Sequence, residues 1–194
     1  MGDKVQVYSK KGKHYLYPPE QLSDKNLRYC RIISIQGNFL RVQIKEDEFR
    51  NCHICDITDL ISPHPLHEYE VGDYTIGRIV NEKQITLRKS LVLNGLPENM
   101  KQVAEHYSDD EKRGDFRARI EAVGPSALKL ETVVFGYIKN YSDKGCFISL
   151  SRNFDVRVDK SELSDHFITN KEQVFVPNKL VLCRLINSRM ISNK

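Results

Sequence analysis

The chain has 194 residues, 40% of them hydrophobic and 29% charged, with a net charge of +4; that balance suits one ordinary globular domain or two small ones and excludes a disordered, weakly hydrophobic chain. No run of about 18 apolar residues occurs, so no membrane-spanning helix and no membrane partner is expected, and the charged start MGDKVQVYSKKGKHY lacks the apolar core of a secretory signal. The cysteines at 30, 52, 55, 146 and 183 are odd in number and scattered, which argues against a disulfide framework and for a reducing compartment.

Residues 1–25, with Lys10, Lys11 and Lys13, read as an extension with a net charge of +2. Residues 26–92 are neutral and read as short strands. RYCRIISI (28–35) and NFLRVQI (38–44) meet at a glycine-containing turn, as a hairpin does. RNCHICDI (50–57) reads as a third strand, TDLISPHPLHEYEVG (58–72) as a proline-broken connection, and YTIGRIV (74–80) with QITLRKS (84–90) as a second hairpin. Residues 93–131 are acidic and link the two halves: PENMKQVAEHY (97–107) has helical spacing, and 116–131 suits a hairpin around GPS. Residues 132–194 carry +4, the strongest positive balance of the chain, and are the part expected to face a polyanion. They run TVVFGYIKNY, GCFISLS, FDVRVDK, a connection from 161 to about 178, KLVLCRLI and a short RMIS.

The two ends of the chain match one another in order. Gly37–Val42 matches Gly145–Leu150, Asp56–Leu60 matches Asp159–Leu163, and Gly77–Asn81 matches Cys183–Asn187, at spacings of 108, 103 and 106. Five strands with a long connection after the third fit the five-stranded Greek-key barrel known as the OB-fold. The expected fold is therefore all-β with a helical linker: two tandem five-stranded barrels at 26–92 and 132–194. The repeat also bears on Cys52, Cys55, His64 and His67, whose C-x-x-C and H-x-x-H spacing suggests zinc. The matching stretch FDVRVDKSELSDH has neither pair, Cys55 aligns with Val158, and a strand over 50–57 points Cys52 and Cys55 to opposite faces. No metal and no other cofactor is expected.

The stretch VVFGYIKNYSDKGCFISLSRNFDVRVDKSELSD resembles the S1-type RNA-binding domain, a family with the OB-fold. Gly136, Gly145, Phe147, Ile148, Ser161, Glu162 and Leu163 carry the likeness, and its GYIKN-x-SDKGCFISLSR form is similar to the repeats of pre-ribosomal assembly factors. The first half is a more diverged relative, through ITDL, PLHEYEVGD and ITLRKS. The resemblance implies single-stranded pre-ribosomal RNA as partner, ribosome assembly factors beside it, a nucleolar or nuclear location and no catalytic residues. It also exposes departures: the family's frequent histidine falls on Asp56 and Asp159, its aromatic before the turn on Gln36 and Lys144, and its last-hairpin aspartate on Asn81 and Asn187.

Strand alternation supplies a separate argument. Leu40, Val42 and Ile44 share one face, which points to the core, and Phe39, Arg41 and Gln43 share the other. An aromatic beside an arginine on an outer face suits stacking of unpaired bases. In the second half Ile148 and Leu150 point inward and Phe147 outward with Ser149 and Ser151, with Lys139, Tyr141, Lys144 and Arg157 beside it. Arg78, Arg184 and Arg189 are candidates for phosphate. On charge and side chains the second half is the expected stronger RNA binder. No nucleophile elbow, phosphate loop or dinucleotide fingerprint occurs, so an enzyme is not expected. A protein-docking scaffold within a ribonucleoprotein is the alternative.

Overall fold

The structure, a computed structural model, describes residues 8–10, 13–15, 22, 24–93, 120, 124, 128–164 and 168–186. Strands β1 (Tyr8–Lys10) and β2 (Lys13–Tyr15) form a small hairpin. The first large sheet contains β3 (Leu27–Gln36), β4 (Phe39–Lys45), β5 (Glu48–His53), β6 (Tyr74–Ile79) and β7 (Ile85–Thr86), in the antiparallel order β5-β4-β3-β6-β7. Its outer strands come together: the Asn51 N–H donates to Lys83 O at 2.9 Å, and Asn51 bridges Gln84 in parallel. The sheet is thus nearly barrel-shaped around Ile32, Leu40, Val42, Cys52 and Ile85, all fully buried. Inward Leu40 and Val42 against outward Phe39 and Arg41 follow the expected alternation.

The second sheet holds β8 (Val133–Ser142), β9 (Gly145–Ser151), β10 (Phe154–Val158) and β11 (Leu180–Arg184), in the order β10-β9-β8-β11. Val134, Ile138, Ile148 and Leu150 make its core, joined by Ile120 from the linker. Gly136 must be glycine here, because a Cβ would lie 2.5 Å from Ile148 Cγ2. Four strands are seen among the described residues. The expected fifth strand near 189–192 and the helix over 97–107 lie outside them, as does most of the hairpin expected over 116–131.

Both sheets carry the same pairing at a constant spacing of 106 residues. Ile32 pairs with Val42 and Ser34 with Arg41, skipping one residue of β3; Ile138 pairs with Ile148 and Asn140 with Phe147, skipping Lys139. Leu27 pairs with Arg78 as Val133 does with Arg184. Gly72 and Asn178 both adopt positive φ, and their N–H groups donate to Ile32 O and Ile138 O. The spacings of 108 and 103 are thereby corrected. Gly37 lies in the turn after β3, whereas Gly145 opens β9 opposite Ser142, so Arg41, not Phe39, corresponds to Phe147. β5 ends at His53, and a 3-10 turn, Ile54–Asp56, replaces the expected continuation of the strand to 57. Asp159 likewise precedes the 3-10 turn Lys160–Glu162, so it corresponds to His53, Val158 to Cys52 and Ser161 to Cys55. The strand expected over 84–90 is also shorter. After β7 the chain turns into α1 (Lys89–Leu93), because Asp59 accepts from Arg88 Nε at 3.0 Å and from the Ser90 N–H at 2.8 Å.

The two sheets pack on each other. Arg152, in the turn between β9 and β10, donates to the Asp56 carboxylate at 3.1 Å, with side chains 9% and 1% exposed. The Tyr137 hydroxyl donates to Ser62 O at 2.9 Å, Cys55 Sγ approaches Ser149 O at 3.6 Å, and Asn178 Nδ2 donates to Gly37 O at 2.9 Å. Tyr137 is 4% exposed and packs into the core cluster of the first sheet. Removing one member of such a buried pair takes the opposite charge away from the other at this contact. Arg152→Ala is therefore expected to lower unfolding free energy by about 3–5 kcal/mol. The double change Asp56→Asn, Arg152→Met should recover most of that loss in urea denaturation.

Candidate nucleic-acid interface

In antiparallel sheets, directly opposite side chains stand on one face, and successive pairs form rows across the strands. The first sheet presents three outer rows. Gln36, Phe39 and His53 form one, Ser34, Arg41 and Asn51 the next, and Arg31, Gln43 and Phe49 the third, which Tyr74 of β6 extends. Phe39 is half-buried and meets the His53 ring edge-on, with centroids 5.0 Å apart. Arg41 is exposed, and its guanidinium lies 5.1 Å from the Phe49 ring centroid. Arg31 lies likewise 5.8 Å from the Tyr74 ring.

The corresponding rows of the second sheet are Ser142 with Gly145, then Asn140, Phe147 and Arg157, then Tyr137, Ser149 and Asp155. Phe147 is half-buried and Lys144 exposed in the turn beside it. Tyr141 does not join Phe147. The skipped residue at Lys139 puts Tyr141 opposite buried Cys146, and its ring stacks on Phe175, 5.7 Å away, at the core end. Ser149 and Ser151, expected outward toward solvent, are fully buried; Ser149 is outward of its own core but covered by the first sheet.

The expected phosphate-binding cations are largely engaged. Lys139 pairs with Asp155, Arg157 with Asp159 at 2.9 Å, and Arg184 with Glu131 at 3.8 Å. Arg78 pairs with Asp24 at 2.8 Å and donates to Leu91 O at 2.6 Å. The exposed pairs are worth well under about 1 kcal/mol, so an incoming phosphate can exchange with their carboxylates; Arg78, three-quarters buried and doubly held, is a structural tie. Arg31, Arg41 and Lys144 make no ion pair among the described residues. Arg189 lies outside the described residues. Alternation alone singled out Phe39 and Arg41 but missed Arg31, Phe49 and Tyr74, because the row joining them crosses four strands and depends on register.

The histidine position assigned to Asp56 belongs to His53. Its Nδ1 accepts from the Cys55 N–H at 3.3 Å, and the Asn38 amide lies 3.0 Å from Nε2. The C-x-x-C pair is split between β5 and the 3-10 turn, and both thiols are buried. Burial holds the Cys52 thiol well above its ordinary value, which suits a small hydrophobe rather than a thiolate ligand. His64 and His67 stack 5.4 Å apart and line a cleft of about 320 Å³ with Ile54, Val176 and Lys179. No group of three metal-ligating side chains occurs among the described residues.

No family model matches the chain. In an alignment of 166 positions that covers 80% of the chain, it is 33% identical to the rRNA biogenesis protein RRP5 of Arabidopsis thaliana, of which it spans 8%. The resemblance seen in the sequence is thus shown as a relation to one segment of a much longer protein. A solved multidomain protein with nucleic acid binding domains from Streptococcus pneumoniae matches 81% of the chain and 40% of its own at 12% identity, with a TM-score of 0.23.

Burial pushes the His53 imidazole down to about 4 from 6.5. The unfolded chain then binds a proton that the folded chain refuses. The contribution of His53 to stability is complete well above pH 6.5 and is lost at up to about 1.4 kcal/mol per pH unit as the pH falls toward 4. Urea titrations across that window should show this slope, and His53→Asn should flatten it.

Proposed function

We propose that the chain is a non-catalytic RNA-binding segment acting in pre-ribosomal RNA processing and ribosome assembly in the nucleolus. In this reading it consists of two tandem five-stranded S1-type barrels that bind single-stranded RNA, and ribosome assembly factors are its protein neighbours. The observation that carries the reading is the 33% identity, over 80% of the chain, to an rRNA biogenesis protein. Two features support it. The first sheet has the closing order of an OB barrel. Its outer face sets aromatic rings beside two arginines that have no carboxylate partner among the described residues, the combination that unpaired bases and phosphates need.

A docking scaffold is the second reading. It is favoured by the way the second sheet commits Tyr137 and Ser149 of its third row to contact with the first sheet. Salt separates the two. Three phosphate contacts predict a ~20-fold loss of affinity for single-stranded RNA between about 50 and about 200 mM salt. Fluorescence anisotropy with a labelled oligoribonucleotide measures it. Absence of RNA binding together with salt-insensitive capture of an assembly factor would favour the scaffold.

A further inference from the structure

We infer that the row Tyr74–Arg31–Gln43–Phe49 of the first sheet, with Arg41 beside it, is a stacking platform for single-stranded RNA. We further infer that the corresponding row of the second sheet has been converted into the joint between the two sheets. The inference deepens the RNA-binding reading and rests on it.

The two rows occupy the same places 106 residues apart. Tyr74, Arg31, Gln43 and Phe49 correspond to Leu180, Tyr137, Ser149 and Asp155. In the second sheet the row is closed from Leu180 through Ser149, and Asp155 at its end is exposed and paired with Lys139. Tyr137 is 4% and Ser149 0% exposed, Tyr137 is bonded to Ser62, and Leu180 packs against the first core. In the first sheet the row is open: Tyr74 is 57% and Phe49 37% exposed, and Arg31 and Arg41 are exposed too.

Its chemistry is that of a ligand face rather than a second joint. The closed row offers Leu, Tyr and Ser to protein; the open row offers two arginines, a glutamine and two rings. Each arginine lies over one ring, Arg31 over Tyr74 and Arg41 over Phe49, and neither forms an ion pair among the described residues. A guanidinium so held presents its second planar face to a base and its N–H edge to a phosphate. The Gln43 side chain donates to Glu46 O at 2.9 Å, which fixes the middle of the row. Three strand spacings separate the Tyr74 and Phe49 strands, about 14 Å, room for a few nucleotides of one strand.

The test uses the full chain and a labelled ~12-nucleotide oligouridylate. The double variant Phe49→Ala, Tyr74→Ala is expected to bind at least ~10-fold more weakly while keeping a cooperative melting transition well above the assay temperature. Phe49→Tyr should retain affinity, and Phe147→Ala should cost less than the double variant. Equal affinity of double variant and wild type, or a larger loss from Phe147→Ala, would overturn the assignment to this row while leaving RNA binding standing. A wild-type chain that does not bind the oligouridylate would overturn the RNA-binding reading itself.

Discussion

The Asp56–Arg152 ion pair is the constraint on which the rest of the arrangement depends. A carboxylate that is 1% exposed is costly to bury, and the cation that compensates it comes from the β9–β10 turn of the other sheet. Separating the sheets would leave Asp56 without that partner and would also remove Tyr137 from the first core. The pair thus fixes which surface of the second sheet is covered. Its position at the end of a 3-10 turn matters as well. Had β5 continued, Asp56 would lie further along the strand line; the turn capped by His53 brings it back against the joint. Neutral His53 therefore supports the joint from one step away, accepting from the Cys55 N–H within the turn.

Much of each sheet was legible in the sequence, and the reasons are local. Leu40 and Val42 against Phe39 and Arg41, and Ile148 against Phe147, show period two over strands bounded by turn residues. Three features were not legible. Lys139 is skipped by the pairing, which reverses the alternation for Tyr141, and nothing in the order of side chains marks a bulge at a lysine. The glycine match at Gly37 and Gly145 misaligned the copies by two residues, because two glycines serve different ends: one is inside a tight turn, the other begins a strand. The strand over 50–57 was overextended because Ile54, Cys55 and Ile57 are as apolar as a strand requires, while the break comes from the capping histidine.

The joint itself lies beyond any periodicity argument. Alternation separates inward from outward; it does not separate outward to solvent from outward to a partner. Ser149 has the composition of an exposed strand position and is fully buried. Cys55 and Ser62, which receive the second sheet, sit in a stretch whose cysteines and histidines drew attention to metal instead. The positive balance of residues 132–194 misdirects in the same way: Lys139, Arg157 and Arg184 count toward +4, yet each faces a carboxylate in the fold.

Register, rather than charge, distinguishes the two outer faces. With both sheets set at one spacing, the same row can be compared residue by residue. Arg31 stands where Tyr137 stands, Gln43 where Ser149 stands, and Phe49 where Asp155 stands. Exchanging Tyr137 for an arginine at the joint would bury a guanidinium in the place of a ring that lies in the first core, at a cost of several kcal/mol unless a carboxylate accompanied it. Exchanging Arg31 for a tyrosine would set a second exposed ring beside Tyr74 and remove an exposed cation that makes no ion pair among the described residues. Each row thus has side chains suited to its own environment and ill suited to the other's, and the division of labour between the sheets follows from which one Arg152 draws against Asp56.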